Sequence, residues 1–159
     1  MKTLVVYYSK TGNTKYVAQK IAEQLKAELS EITDKQNRKG KLNFLKSGYE
    51  SIKEKLTEIE VSKKIDDYDF VIIGSPVWAG KIPPAIRTFL VKNDFGRKKI
   101  AFFVTVGGDK PQKALNAMKG IISPQNPIAE LGITEALEDK EEINKKISDW
   151  CKKLIVKPN

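Results

Sequence analysis

The sequence predicts a single α/β domain over residues 1–159, built on a doubly wound, five-stranded parallel sheet with helices on both faces. Two observations carry this prediction. Apolar runs alternate with amphipathic segments along the chain, and the runs are nearly continuous, as in strands buried on both faces of a parallel sheet. The resulting order is β-α repeated five times, which implies right-handed crossovers that put helices on both sides of the sheet.

The first half of the chain supplies two strands and two helices. Residues 3–8 are almost entirely apolar and residues 29–33 form a weaker apolar run, so both are expected as strands. Between them, residues 14–28 place apolar side chains three and four positions apart, which is typical of a helix packed on a sheet. Residues 34–41 are polar and are expected as a loop. Helical spacing resumes over residues 43–57.

The second half repeats the alternation three times. The expected strands are residues 69–74, residues 99–106 and a strand within residues 128–137. The helices expected after them are residues 83–91, 111–122 and 138–155. The strongest strand signal is the apolar run that ends at Gly74. Pro83, Pro84 and Pro111 stand where a first helical turn tolerates proline.

Composition excludes several classes of protein. The chain carries 29 basic and 20 acidic residues, a net charge of +9, which favours anionic ligands and partners. It has no histidine and one cysteine, Cys151, which excludes a His-based catalytic triad, the usual zinc sites and an internal disulfide. No apolar run approaches the ~20 residues that span a bilayer. No signal pattern precedes the first strand, so we expect a cytoplasmic protein without membrane contact.

The loop after the first strand has the composition of a phosphate site. It reads Ser9, Lys10, Thr11, Gly12, Asn13 and Thr14. Its hydroxyl groups can donate hydrogen bonds, its glycine lets the backbone approach closely, and the N–H groups at a helix start carry partial positive charge. The same residues also occur in ordinary turns that cap a helix. Both interpretations are open on this loop alone.

Two further loops lie where doubly wound sheets bind ligands, at the carboxyl ends of the strands. The loop after the third strand contains Pro76, Val77, Trp78, Ala79, Gly80 and Lys81, and the loop after the fourth contains Thr105, Val106, Gly107, Gly108 and Asp109. Trp78 either stacks on a planar ligand ring or packs on a neighbouring helix. The two adjacent glycines either expose backbone N–H groups to a flat ligand or mark only a turn.

Other nucleotide-binding patterns do not fit. The segment from Gly74 to Lys81 has one residue too many between its glycines for a nucleotide P-loop, and Ile82 stands where Ser or Thr should bind magnesium. The dinucleotide pattern G-x-G-x-x-G is absent. Phosphoacceptor receiver domains need carboxylates at the ends of the first and third strands, where this chain has Tyr8-Ser9 and Gly74-Ser75.

Together, the three loops resemble the flavodoxin family, and the resemblance covers nearly the whole chain. Residues 9–14 are similar to the family's FMN phosphate loop, and residues 75–80 to its first isoalloxazine loop, with Trp78 as the stacking aromatic. The family often carries a tyrosine in its second flavin loop, but residues 105–110 contain none. The chain also lacks the long insertion of some members and, unlike most of them, is basic. The resemblance implies noncovalent FMN and one-electron transfer between redox proteins, with the flavin performing the chemistry.

Two other functions stay open. The first is an NAD(P)H-dependent quinone or FMN reductase of the same fold, because the missing tyrosine would leave one flavin face accessible. The second is a cofactor-free interaction module, which the intact phosphate loop disfavours.

A basic run in residues 35–46 is either a solvated face or a docking surface for an acidic redox partner, and we predict the docking surface. It contains Lys35, Arg38, Lys39, Lys41 and Lys46 and no acidic residue. Nucleic acid is a less favoured partner because no nucleic-acid-binding motif accompanies the run. Such a patch steers association through long-range attraction.

Overall fold

The computed structural model describes residues 1–35, 56–108, 110–135 and 138–156. The helix expected at 43–57 falls outside these ranges except for its last two positions, Leu56 and Thr57, which are not helical. Most of the polar loop expected at 34–41 and of the basic run also lies outside them, as does Asp109.

The described residues form one sheet of six strands. These are β1 (Thr3–Tyr7), β2 (Glu28–Asp34), β3 (Ile59–Val61), β4 (Phe70–Pro76), β5 (Lys99–Val106) and β6 (Ala129–Thr134). Their order is β3-β2-β1-β4-β5-β6, and every neighbouring pair is parallel except β2 and β3. The predicted fold class is confirmed. The predicted count of five strands is wrong, because a three-residue antiparallel strand, β3, lies beside β2 at the edge.

Within the described ranges, three α-helices connect strands and a fourth follows the last strand. They are α1 (Asn13–Leu25), α2 (Pro84–Lys92), α3 (Pro111–Ile122) and α4 (Lys140–Val156). A single 3-10 turn also lies at Ile65–Asp67. The helix predicted at 14–28 ends three residues early because Lys26 takes a left-handed conformation with φ 50°. The N–H of Ala27 then closes the helix by binding the carbonyl of Ala22, and β2 begins at once.

Alternate strand residues point into two apolar layers. On one side of the sheet, α2 and α3 pack over side chains such as Val6, Ile73 and Phe102. On the other side, α1 and α4 pack over Val5 and Phe103, among others. The nearly continuous apolar character of the strands is explained by this burial on both faces.

The chain order reverses at β1, which lies between β2 and β4. The connections that leave β1 and β4 run towards opposite edges of the sheet, which opens a crevice at the carboxyl ends of these strands. The loops after β1, β4 and β5 therefore meet at one end of the molecule.

Candidate functional site

The loop between β1 and α1 is held by the side chain of Ser9. Its Oγ accepts hydrogen bonds from the N–H groups of Gly12 and Lys15, each at 3.2 Å. Gly12 has φ 99° and precedes the first residue of α1. This positive φ is accessible to glycine without steric cost, so the backbone can turn sharply into the helix.

Three backbone donors remain at this turn. Among the described residues, no hydrogen-bond acceptor faces the N–H groups of Thr11, Asn13 and Thr14. The first regular helical bond runs from the N–H of Tyr16 to the carbonyl of Gly12. Free donors at the start of a helix, combined with its dipole, form an anion-binding position. The donor set of this loop therefore fits a phosphate group.

Thr14 points inward instead of into solvent. It is 2% exposed, and its Oγ1 lies 2.8 Å from Oγ1 of Thr105, which is also 2% exposed. The carbonyl of Thr105 accepts a hydrogen bond from the N–H of Val77 at 3.0 Å. The end of β5 is therefore bonded both to the phosphate loop and to the loop after β4.

The loop after β4 is a two-residue hairpin. Trp78 and Lys81 exchange both backbone hydrogen bonds, at 2.8 and 2.9 Å. The two residues between them have positive φ, 49° at Ala79 and 72° at Gly80. Two successive positive φ angles are the mark of a type I′ turn, whose twist matches that of the flanking strands. Ala79 and Gly80, at the tip, are exposed.

Trp78 packs against protein atoms in this structure. Its side chain is 8% exposed and meets Tyr8 edge to face, with ring centroids 5.5 Å apart. The Nζ of Lys10 lies 5.3 Å from the centroid of the Trp78 ring, within the range of a cation–π contact. These contacts join the phosphate loop to the second loop. Stacking of Trp78 on a ligand ring stays a prediction.

A groove separates the hairpin from the loop after β5. Its volume is about 360 Å³. It is lined by Val77, Ala79, Gly80, Val106, Gly107, Gly108 and Lys110. Most of these side chains are small or absent, so a flat ring can approach the main chain from this side.

The structure brings the three predicted loops together and adds residues that the sequence analysis did not select. Tyr8 contacts Trp78, and Glu135 accepts a hydrogen bond from the side-chain amide of Asn13. Glu135 directly follows β6, so the rule that favours the carboxyl ends of strands could have found it. Asp109 lies outside the described residues.

A second polar network borders the phosphate loop on the α1 side. Glu31 Oε2 accepts hydrogen bonds from the hydroxyl of Tyr7 at 3.0 Å and from Nζ of Lys15 at 3.3 Å. Burial, followed by the bond to Glu31, raises the pKa of the Tyr7 phenol well above its ordinary value. Tyr7 is therefore a neutral donor at any physiological pH, and the Lys15 ammonium is drawn towards β2.

The chain belongs to the flavodoxin family, because the family's sequence profile, described as Flavodoxin, matches residues 2–153. A flavoprotein from Lactobacillus acidophilus NCFM, solved in complex with FMN, is 25% identical, covers 94% of this chain and 97% of its own, and superposes with a TM-score of 0.76. A flavoprotein from Bacteroides eggerthii is 27% identical over 98% of this chain and 99% of its own, with a TM-score of 0.77.

More distant structures share the fold. Oxidised flavodoxin 2 from Bacillus cereus is 23% identical, with 95% of each chain covered and a TM-score of 0.61. A comparison with curated protein sequences finds no match. In the part of the chain that the structure describes, every helix is too short or too polar to cross a membrane.

Proposed function

We propose that the protein binds FMN noncovalently and carries single electrons between redox proteins of the cytoplasm. The observation that carries this proposal is the meeting, at one end of the sheet, of an anion-binding helix start and a groove with a glycine-rich wall. A related flavoprotein of Lactobacillus acidophilus was solved with FMN, which supports the same ligand here. When bound, FMN supplies the one-electron chemistry.

The chain's own residues divide the binding between two regions. The N–H groups of Thr11, Asn13 and Thr14 would hold the phosphate at the start of α1. The groove of about 360 Å³ lies within the size range of small-molecule sites and would hold the ring system. The hairpin and the loop after β5 would exclude water from the ring faces that they cover.

The first experiment measures whether the phosphate is recognised. Ligand-free protein is titrated with FMN, riboflavin and FAD, and binding is followed by flavin fluorescence. Each charge-assisted hydrogen bond contributes about 1.5–3 kcal/mol, so two or more such bonds should favour FMN over riboflavin by at least about a hundredfold. FAD should also bind weakly, since the loop is sized for one phosphate. Equal affinity for FMN and riboflavin would contradict the proposal.

A reductase of the same fold is the second candidate, and the open groove favours it. Both glycines of the third loop and the tip of the hairpin are exposed, and no aromatic side chain lines the groove among the described residues. A nicotinamide or quinone ring could reach a flavin held there. Anaerobic mixing of the FMN-loaded protein with NADPH distinguishes the candidates: a carrier keeps its oxidised flavin absorbance without a partner enzyme, whereas a reductase loses it.

The partner proposed for the carrier is an acidic redox protein. The net charge of +9 gives the molecule a field that attracts negative surfaces. Lys110 is exposed at the groove, and Lys81 ends the hairpin beside it. Positive charge at the rim of the flavin site is suited to an acidic docking face.

A further inference from the structure

Thr105 is the first residue of the third ligand loop and is bonded to the other two. Its side-chain oxygen lies 2.8 Å from that of Thr14 in the phosphate loop. Its carbonyl accepts the N–H of Val77, which leads into the hairpin. The exposed glycines of the third loop follow two and three residues later. Thr105 is thus bonded to both of the other ligand loops.

The hydroxyl pair has two possible arrangements, because each threonine hydroxyl has one proton and can also accept hydrogen bonds. In one arrangement Thr14 donates to Thr105, and the Thr14 proton is not available to a ligand. In the other, Thr105 donates to Thr14, and the Thr14 proton is released for a second acceptor. An anion at the start of α1 favours the second arrangement, since it is a strong acceptor beside Thr14.

We propose that Thr105 is a positioning residue for phosphate recognition: its hydroxyl donates to Thr14 and thereby turns the proton of Thr14 towards the phosphate of the ligand. This inference rests on the proposed function, since it assumes that the loop holds the FMN phosphate. It assigns to Thr105 an effect on ligands that carry a phosphate and none on the binding of the flavin ring.

The test compares FMN and riboflavin on one set of variants. Thr105→Val keeps the shape and the backbone bond to Val77 but removes the hydroxyl. It should weaken FMN binding about tenfold, the loss expected for one hydrogen bond to a charged group, and leave riboflavin binding unchanged. Thr105→Ser should restore the affinity for FMN. The phosphorus NMR signal of bound FMN should shift in Thr105→Val and return in Thr105→Ser.

A double-mutant cycle tests the coupling between the two hydroxyl groups. Thr14→Val should weaken FMN binding at least as much as Thr105→Val, and the double variant should lose no more than Thr14→Val alone. Thr88→Val is the matched control, because the Thr88 hydroxyl is equally buried but binds the N–H of Thr57 away from the loops. That variant should leave the affinity for both flavins unchanged.

The possible outcomes are distinct. If Thr105→Val weakened FMN and riboflavin equally, or if the losses in the cycle were additive, Thr105 would have only a structural role and the inference would be wrong. If Thr105→Val did not fold, Thr105→Ala, which also lacks the hydroxyl, would decide it through its ratio of FMN to riboflavin affinity compared with that of Thr105→Ser. If the unaltered protein bound no FMN, the proposed function itself would fail, and the inference with it.

Discussion

At the scale of single residues, Gly74 shows how closely β4 and β5 approach. Gly74 is paired with Phe103, and a Cβ atom at position 74 would overlap the Phe103 ring, which is fully buried. The carbonyl of Gly74 also accepts the N–H of Tyr8 at the end of β1. The absence of a side chain at this position therefore lets an aromatic ring fill the layer beneath the ligand loops.

We expect Gly74→Ala to lower the free energy of unfolding by about 1–3 kcal/mol, because the Phe103 ring would have to leave its packed position. Urea denaturation of the ligand-free protein measures this change. Gly120→Ala is the control, since Gly120 lies in α3, is exposed and has open space around its Cβ position. That substitution should raise stability by about 0.5–1 kcal/mol through helix propensity. If Gly74→Ala left the free energy of unfolding unchanged, the Phe103 ring would be shown to move aside without cost.

The sequence does not show this kind of contact. The apolar run predicts a strand that ends at Gly74, but the ring that Gly74 accommodates belongs to Phe103, which lies 29 positions later in the chain. Likewise, no local pattern marks Ala79 or Lys26 as residues of positive φ, because neither is glycine, asparagine or aspartate. Such conformations are imposed by the hairpin and by the early start of β2.

At the scale of elements, α4 buries the only cysteine of the chain. The Cys151 side chain is 1% exposed and packs in the layer shared with α1. Burial raises the pKa of the Cys151 thiol from 9.0 to about 11. A redox role for this thiol is therefore disfavoured, since the thiolate is the reactive form.

The folded protein should react with iodoacetamide far more slowly at pH 8 than the urea-unfolded chain does, as followed by mass spectrometry. Stability should also fall as the pH rises from about 9 towards 11, because the unfolded thiol loses its proton first. Cys151→Ala should remove that component of the pH dependence, whereas lysine titration would persist in both proteins. Rapid alkylation of the folded chain would show that α4 opens readily.

An ionic group links the first residue of β2 to the segment between β3 and β4. Glu28 Oε2 accepts hydrogen bonds from Lys63 Nζ at 2.8 Å and from the Tyr68 hydroxyl at 2.9 Å. The bond from Lys63, followed by that from Tyr68, lowers the pKa of the Glu28 carboxyl below its usual 4.5. The folded state is therefore favoured by ionised Glu28.

This contribution should be present above about pH 4.5 and disappear as the pH falls through the lowered pKa of Glu28. Glu28→Gln should be less stable than the parent protein at pH 7, and the two should converge in acid. Denaturation curves at pH 7, 5 and 3 test this. Glu23→Gln is the control, because Glu23 is exposed on α1 and its ion pair with Lys20 joins residues of the same helix. If the difference in stability between Glu28→Gln and the parent protein stayed constant with pH, the ionised Glu28 carboxylate would not be its source.

Local sequence patterns predicted the longer strands and helices of the described chain but did not predict the three-residue strand β3. β5 and α3 match their expected bounds, because β5 is a nearly continuous apolar run of eight residues and α3 has twelve residues with helical spacing. β3 has three residues, Ile59-Glu60-Val61, too few for any period, and its direction depends on pairing with β2. The position and direction of so short a strand are set by its pairing with β2.

At the scale of the whole molecule, the positive charge should act on the rate of association with a partner. Steering is strongest at low ionic strength and depends on where the charges lie. We expect the variant Lys39→Glu with Lys41→Glu to slow electron transfer to an acidic partner at low salt and to have little effect at high salt. Stopped-flow kinetics over a range of salt concentrations measures this.

The matched control is Lys152→Glu with Lys153→Glu. It changes the net charge equally, but at the end of α4 remote from the ligand loops. If both variants slowed the reaction equally, the effect would come from net charge alone. An effect that did not depend on salt would contradict steering.

The sequence predicted that the three loops would meet, because parallel sheets present such loops at one end. It did not predict how the loops are bonded to one another. The Thr14–Thr105 pair spans 91 positions, and the Tyr8–Trp78 contact joins two different loops. Such contacts depend on the twist and register of the sheet, which single-sequence patterns do not specify.

The edge strand β3 also affects how molecules of this protein meet at high concentration. An exposed strand is a template on which another chain can pair, and natural sheets avoid this with short strands and charged side chains. β3 offers three residues, and Glu60 at its centre is exposed. Without β3, the seven residues of β2 would form that edge of the sheet. Among the residues that the structure describes, the strand that the sequence pattern did not predict therefore leaves a short, charged edge, which disfavours edge-to-edge pairing.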